Sequence, residues 1–391
     1  MYLKKNPVSL ISMKLLLLSF FIYGCGGSGG GSSSALQTAT GVFKDSNVSG
    51  MSYVSGNQSG TTGPDGNFTY EVGQSVNFSI GGVTVGNTQG RSVVTPVDLV
   101  PGGNTNSVTV QNITRFLMML DRDGDPTNGI EISSAVQTAS TTWTTIDLSA
   151  ANLAVEAAQV VANASAVDGV AHVLPTPTAA KTHITSTLRC TYSGAFKGTY
   201  SGSDSGRATV FNDSSTALIT GFGYSVIANE FFNLSGTNAI DFGLGTNFVS
   251  GSVTTGSSFS GQFSSPDNAV GSWSHPLGSS GSFSLQRIGG GIGASYRFTG
   301  SFSGTNQGLF TFDLSNSDQV TGVAYDIYDD ATYSVSGSLN GTSLSATASG
   351  SGQTIQINGT MNKTTGALSG SWVNAGQATS GSFAGSGCQL N

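Results

Sequence analysis

The sequence predicts a mainly β protein: an N-terminal small β-sandwich, a short helical connector, and a C-terminal duplicated antiparallel meander forming barrel-like units. Three observations predict it. Gly supplies 56 of 391 residues, about twice ordinary usage, with no collagen period. Charged residues are only 9%, too few for the solvating disorder that a polar chain otherwise invites. Through the second half, large and small side chains alternate at period two, with turn residues about every 8–12 positions.

Charge and rare residues narrow the function classes. Fourteen basic residues face 21 acidic ones, for a net charge of −7. Beyond the N-terminal segment no Lys/Arg cluster appears, which argues against nucleic acid as a partner. His172, His183 and His275 are widely spaced, which disfavours a His-rich metal site or a His-based hydrolase. No enzyme is expected.

Residues 1–24 read as an export signal. The apolar run LLLLSFFIYG (15–24) is shorter than the ~20 residues a membrane-spanning helix needs. Lys4, Lys5 and Lys14 precede it as a basic region, and Met13 is a second candidate start. Ile22-Tyr23-Gly24-Cys25 resembles the lipobox of bacterial lipoproteins. That resemblance implies that Cys25 becomes the mature N-terminus and carries a diacylglycerol thioether and an N-acyl chain, so that the membrane is a partner through the lipid anchor. Two or more acyl chains hold a soluble domain stably on a bilayer. Gly26 in place of Asp resembles export to the outer membrane rather than inner-membrane retention. Residues 25–34 are a Gly/Ser tether whose nine residues after Cys25 span roughly 15–18 Å. Its literal G-x-S-x-G (Gly26–Gly30) has no strand before it and no helix after it, so it is not a nucleophile elbow.

Residues 35–106 carry the sandwich pattern. Pro64-Asp65-Gly66 is turn chemistry. Phe68, Tyr70 and Val72 alternate, then Val76, Phe78 and Ile80, and Gly81-Gly82 turns the chain into Val83 and Val85. The pattern resembles small modules of the carboxypeptidase-regulatory or transthyretin-like kind over about 65 residues.

Residues 107–189 switch to helical spacing. Ile113, Phe116, Leu117 and Leu120 mark one helix. Leu153, Ala157, Val160, Val161 and Ala164 mark a second over 147–164. Thr176-Pro177 opens a third, with Ala180, Ile184 and Leu188 on its apolar face, ending at Cys190. Such helices are marginal alone and must pack on a β domain. Between the first two lies DRDGDPTNGIE, Asp121–Glu131. Asp121, Asp123 and Asp125 sit at the first, third and fifth positions, spacing that aims three carboxylates at one hard cation. The loop resembles the opening of EF-hand and dockerin calcium loops. It departs from them with Pro126 where Gly is expected and Ile132 where a bidentate Glu is expected. Asn128 and Glu131 complete the candidate set, and a structural Ca²⁺ is the one cofactor the sequence suggests. The alternative is a polar turn ending a helix.

Residues 190–290 and 291–391 are an internal duplication. Phe196-Lys-Gly-Thr-Tyr-Ser-Gly matches Phe298-Thr-Gly-Ser-Phe-Ser-Gly about 100 residues later. Ile219-Thr-Gly-Phe-Gly-Tyr matches Val320-Thr-Gly-Val-Ala-Tyr, and Trp273 matches Trp372. Exposed meander edges aggregate unless closed, so the units predict two barrels or one larger curled sheet. Interior positions filled by Phe, Tyr and Leu would give a solid barrel, and small ones a cavity. Cys190 and Cys388 bracket the duplication and are expected to form a disulfide in an exported chain, as neighbours at the two ends of a closed sheet. Asp326, Asp329 and Asp330 read as a solvated hairpin tip, and His183 as a packing residue.

The whole arrangement is similar to a family of Gram-negative bacterial lipoproteins. The residues carrying this are Cys25, the stretch GPDGNFTYEVGQSVNFSIGG (63–82), NITRFLMMLDRDGDPTNGI (112–130) and THITSTLRCTYSGAFKGTYSGSDSG (182–206). The meander units also resemble the Gly-rich barrels of surface lipoproteins such as transferrin-binding proteins. The resemblance implies an envelope location and no activity. The expected function is a non-enzymatic, lipid-anchored envelope protein with a binding, adhesion or structural role toward a protein or glycan. The alternative is a small-ligand carrier that uses a barrel lumen, with an unrecognised enzyme as the third reading.

Overall fold

The computed structural model describes residues 37–239, 248–290 and 294–390. The signal segment, Cys25 and the tether to residue 34 lie outside the described residues. No described helix is long and apolar enough to cross a membrane.

The N-terminal module is two small sheets over one core. Strand Thr38–Phe43 pairs antiparallel with Asn67–Glu71 and parallel with Val93–Val94. The second sheet has four strands, among them Ser75–Ile80 and Val83–Gln89. Alternation puts Phe43 and Phe68 from one sheet against Phe78 of the other, with ring centroids 4.9 and 5.1 Å apart. Helix α1 (Val108–Met119) adds Ile113, Phe116 and Leu117 to this core. Helix α2 (Ser134–Ser140), absent from the sequence reading, starts where Ser133 Oγ accepts a hydrogen bond from the Val136 amide at 3.1 Å.

The expected helix over 147–164 is broken in two, α3 (Leu153–Glu156) and α4 (Ala158–Asp168). At Ala157 the amide is shared between the Leu153 and Val155 carbonyls, a tight turn that still buries Leu153, Ala157, Val160 and Ala164 together. Helix α5 (Pro177–Tyr192) begins as expected, Thr176 Oγ1 accepting from the Ala179 amide at 3.1 Å. It runs past Cys190 because Tyr192 is also a core residue.

The duplication closes twice. In the first barrel, strand Gly194–Gly202 pairs with its neighbour Gly206–Asn212 and with the last strand, Ser280–Arg287. In the second, Tyr296–Gly304 pairs with both Gly308–Leu314 and Thr379–Gln389. Each is a closed eight-stranded antiparallel barrel, so no long sheet edge is left open. Glycine makes room for this. A Cβ at Gly271 would stand 2.5 Å from Cζ of Phe283, whose ring lies directly on the glycine backbone.

The barrels stand side by side. Ala195, Phe211 and Ile288 meet Leu309, Tyr325 and Ile327 in an apolar seam. Arg207 donates to the Ile327 and Tyr328 carbonyls at 2.9 and 3.3 Å, and the Lys197 ammonium lies 4.1 Å from the Tyr325 ring centre. These contacts align the 203–205 end of the first barrel with the 327–330 end of the second.

The opposite end of the first barrel is stoppered by α5. Ile184, Leu188 and Tyr192 join Phe196, Phe263 and Leu285 in one buried cluster, with the Tyr192 and Phe263 rings 5.5 Å apart. Arg287 holds the helix end there. Its guanidinium donates to the Thr191 and Pro266 carbonyls at 2.8 and 2.6 Å, to the Ser193 carbonyl, and to Asp267 at 2.9 Å. It also stacks over Phe196, 4.9 Å away.

Cys190 and Cys388 stand at disulfide distance, with Cα atoms 5.9 Å apart. The route differs from the one expected. Cys190 lies in the last turn of α5 and Cys388 in the final strand of the second barrel, so the pair links helix to barrel, not two ends of one sheet. On the other side, Lys44 Nζ donates to the Leu390 carbonyl and ties the N-terminal module to the chain end. Burial, with Arg297 beside it, lowers the Lys44 pKa to about 8.

Two substitutions test this packing by urea unfolding. Arg287→Leu strands buried carbonyls and is expected to cost about 3 kcal/mol. Tyr192→Phe removes a buried hydroxyl that has no hydrogen-bond partner among the described residues, and is expected to be neutral or stabilising by about 1 kcal/mol.

Candidate functional site

Along each barrel strand every second residue faces the lumen, so the interior is set by a few positions per strand. In strand Gly206–Asn212 these include Ala208 and Val210. In the matching strand Gly308–Leu314 they include Phe310 and Phe312. The pairing registers fix the correspondence. Tyr200 lies opposite Gly206 as Phe302 lies opposite Gly308, and Phe196 lies opposite Val210 as Phe298 lies opposite Phe312. In the second barrel the Phe310 and Phe312 rings stack with centroids 4.4 Å apart, and both abut Phe383. They occupy the lumen, leaving a space of about 50 Å³. The first barrel has no rings at the two positions and holds a cavity of about 270 Å³.

That cavity is a cup. Its floor is Phe196, Phe263 and Leu285, backed by α5. Its walls include Phe232, Leu234, Phe259 and Phe283. At its mouth Tyr200 donates to Asp204 at 3.0 Å, and Ser225 Oγ and the Ser205 amide donate to the same carboxylate at 3.0 and 2.7 Å. Burial, reinforced by the Asp204 hydrogen bond, holds the Tyr200 hydroxyl well above its ordinary pKa. Trp273 closes the wall near Tyr200, centroids 6.0 Å apart, and its Nε1 donates to the Ser201 carbonyl at 3.1 Å. Glu230 stands on the rim.

The second barrel repeats this clasp with its partners exchanged. Asn306 stands where Asp204 does and Asp326 where Ser225 does, and Asn306 Nδ2 donates to Asp326. Asp326 is therefore buried and not part of a solvated hairpin tip, while Asp329 and Asp330 are exposed. Burial raises the Asp326 pKa, against the hydrogen bonds from Asn306 and the Tyr328 amide. Trp372 Nε1 donates to the Ser303 carbonyl, as Trp273 does to Ser201. The two tryptophans thus hold equivalent places in the two walls.

The acidic loop folds on itself. Asp121 Oδ1 accepts from the Glu131 amide at 3.0 Å. Asp123 accepts from the Asp125 amide and from Asn128 Nδ2, both at 2.9 Å. Asp125 caps the turn Pro126–Asn128, accepting from the Thr127 amide at 3.1 Å, which gives Pro126 its place at the first turn position. Glu131 lies on a short strand pairing parallel with Val48–Ser49. Among the described residues no group of three or more His, Cys, Asp or Glu is arranged to hold a metal ion. Asp121 is nearly fully buried, and among the described residues its Oδ2 has no hydrogen-bond donor. Burial raises its pKa to about 6, opposed by the Glu131 amide and aided by Asp123 and Asp125.

The histidines have structural partners. His172 contacts the Met119 carbonyl at 2.7 Å and Asp168 at 3.0 Å. His183 is more than a packing residue: its Nε2 lies 3.3 Å from the fully buried Asp45. Burial works to lower the His183 pKa, but Asp45 outweighs it and the net shift is upward. His275 holds a turn through the Leu277 amide. None of them lines the cup.

The sequence reading missed Ala208, Val210 and Glu230. The signal for the first two was present in the duplication, as two small residues standing against two phenylalanines.

Asp121 predicts a pH dependence. Its folded pKa lies above the unfolded value, so the stability of the protonated form is present near pH 4 and is lost as the pH rises through about 6. Asp121→Asn keeps the acceptor for the Glu131 amide and is expected to flatten this fall and to raise stability at pH 7.5 by about 1–2 kcal/mol, read by thermal and urea unfolding. Compared with protein-family models, curated proteins and solved structures, the chain finds no match.

Proposed function

We propose that this protein is a lipid-anchored cell-envelope binding protein, held at the outer membrane through Cys25, which carries a small apolar ligand in the lumen of its first barrel. The second barrel is its rigid, filled support. One observation carries the reading: a lumen of about 270 Å³ beside one of about 50 Å³ in a duplicated fold. A void of that size forfeits packing energy unless something occupies it. Ala208 and Val210 create it where Phe310 and Phe312 would have filled it. Among the described residues the lining of the cup is mostly apolar, with a few polar groups gathered at the mouth, which suits a binder.

An adhesive or scaffolding role is the second reading. It draws on Ile227 and Leu277, exposed at turns around the mouth to 70% and 87% of their surface.

The carrier reading is tested with the neutral dye N-phenyl-1-naphthylamine on purified Cys25→Ser protein. One dye per chain is expected. The double variant Ala208→Phe/Val210→Phe is expected to weaken dye binding at least tenfold with the circular dichroism spectrum unchanged. The reciprocal Phe310→Ala/Phe312→Val is expected to create a second dye site, at a stability cost of about 3–5 kcal/mol. Dye binding indifferent to both pairs would refute the reading. The anchor is tested separately: palmitate is expected to label the wild type and not Cys25→Ser, which should fractionate as soluble material.

A further inference from the structure

The mouth of the cup is not electrically neutral. Among the described residues its lining contains two carboxylates, Asp204 and Glu230, and no lysine, arginine or histidine. Asp204 is occupied: Tyr200, Ser225 and the Ser205 amide all donate to it. The second barrel keeps the same clasp through Asn306 and Asp326, which marks it as part of the wall. Glu230 differs on every count. Its carboxylate has no hydrogen bond or ion pair among the described residues. It opens strand Glu230–Ala239, and alternation puts it on the same face as Phe232 and Leu234, both of which line the cup. Phe231 between them turns outward to Tyr328 of the second barrel, ring centroids 4.4 Å apart, which fixes that alternation. Arg207, on strand Gly206–Asn212, is engaged with the Ile327 and Tyr328 carbonyls and lies over the Tyr224 ring.

The duplication supplies an independent comparison. The position equivalent to Glu230 in the second barrel is Ala331, since Ser225 pairs with Glu230 as Asp326 pairs with Ala331. The unpartnered carboxylate therefore occurs on the barrel with the cavity and not on the filled one. The aromatic edges and faces near the mouth, Tyr200 and Trp273, add the electron-rich surface that an organic cation prefers. The net charge of −7 favours the approach of cations over anions.

We infer that the ligand of the first barrel is a cationic amphiphile, an apolar body seated in the cup with an amine or quaternary ammonium head at Glu230. This rests on the lumen reading above and names the class of ligand. Glu230 selects among ligands, and the apolar walls supply affinity common to all of them.

Three ten-carbon probes below their micelle concentrations test it: decyltrimethylammonium, decanol and decanoate, each displacing N-phenyl-1-naphthylamine from the Cys25→Ser protein. The cation is expected to displace the dye at a concentration at least tenfold lower than decanoate, with decanol between. Glu230→Gln is expected to bring the cation to the level of decanol, because the amide keeps the shape of the rim side chain and removes its charge. Decanoate equal to or better than the cation, or a cation preference that survives Glu230→Gln, would overturn the inference while leaving the lumen reading intact. Failure of the dye and of all three probes to bind would overturn both.

Discussion

Helix α5 touches all three parts of the folded body, and the rest of the arrangement depends on where it sits. Its apolar stripe stoppers the first barrel, it packs on α1 of the N-terminal module, and Cys190 in its last turn reaches Cys388 in the second barrel. The helix end carries unpaired carbonyls, and Arg287 at the close of the first barrel takes up three of the surrounding ones in a single planar group. A helix of this composition is marginal in water. It is held by its burial against the barrel end, and the barrel end is dry because the helix covers it.

The duplication separates two jobs that a single barrel performs poorly together. A lumen filled with aromatic rings is stable and binds nothing, and a lumen left open is a binding site and a loss of packing. Here the second barrel is filled by stacked Phe310 and Phe312, and the first is opened by Ala208 and Val210. The seam through Phe211, Leu309 and Tyr325 lets the filled copy brace the open one. Each barrel keeps its mouth clasp, with acid and partner exchanged between Asp204–Ser225 and Asn306–Asp326. The clasp joins the loop after the first strand to the third strand, so it holds the mouth in shape whether or not the lumen behind it is empty.

Much of the fold was legible in the sequence because it is written in local or repeated signals. Thr176-Pro177 announces a helix start, the period-two runs announce strands, and matched blocks about 100 residues apart announce the two units. What escaped depends on contacts between distant segments. The parallel pairing of Val48–Ser49 with Ile130–Glu131 folds the acidic loop back on the module, and nothing near either segment predicts it. The depth of Asp326 follows from Asn306 twenty residues away, and the ion pair of His183 from Asp45 in another module. The site was written in the sequence but not readable without register. Ala208 and Val210 gain meaning only when strand pairing sets them opposite the phenylalanines of the other copy.

The exchange of large side chains for small ones at two positions also bears on how such a chain can change over time. Because cohesion is stored in the plugged copy, in the seam and in the floor that carries α5, side wall positions such as Ala208 and Val210 are released from part of the duty of keeping the molecule folded. Replacements there would alter what is held without endangering the whole, so descendants could drift from one cargo to another by altering a handful of wall positions while the neighbouring barrel stayed fixed.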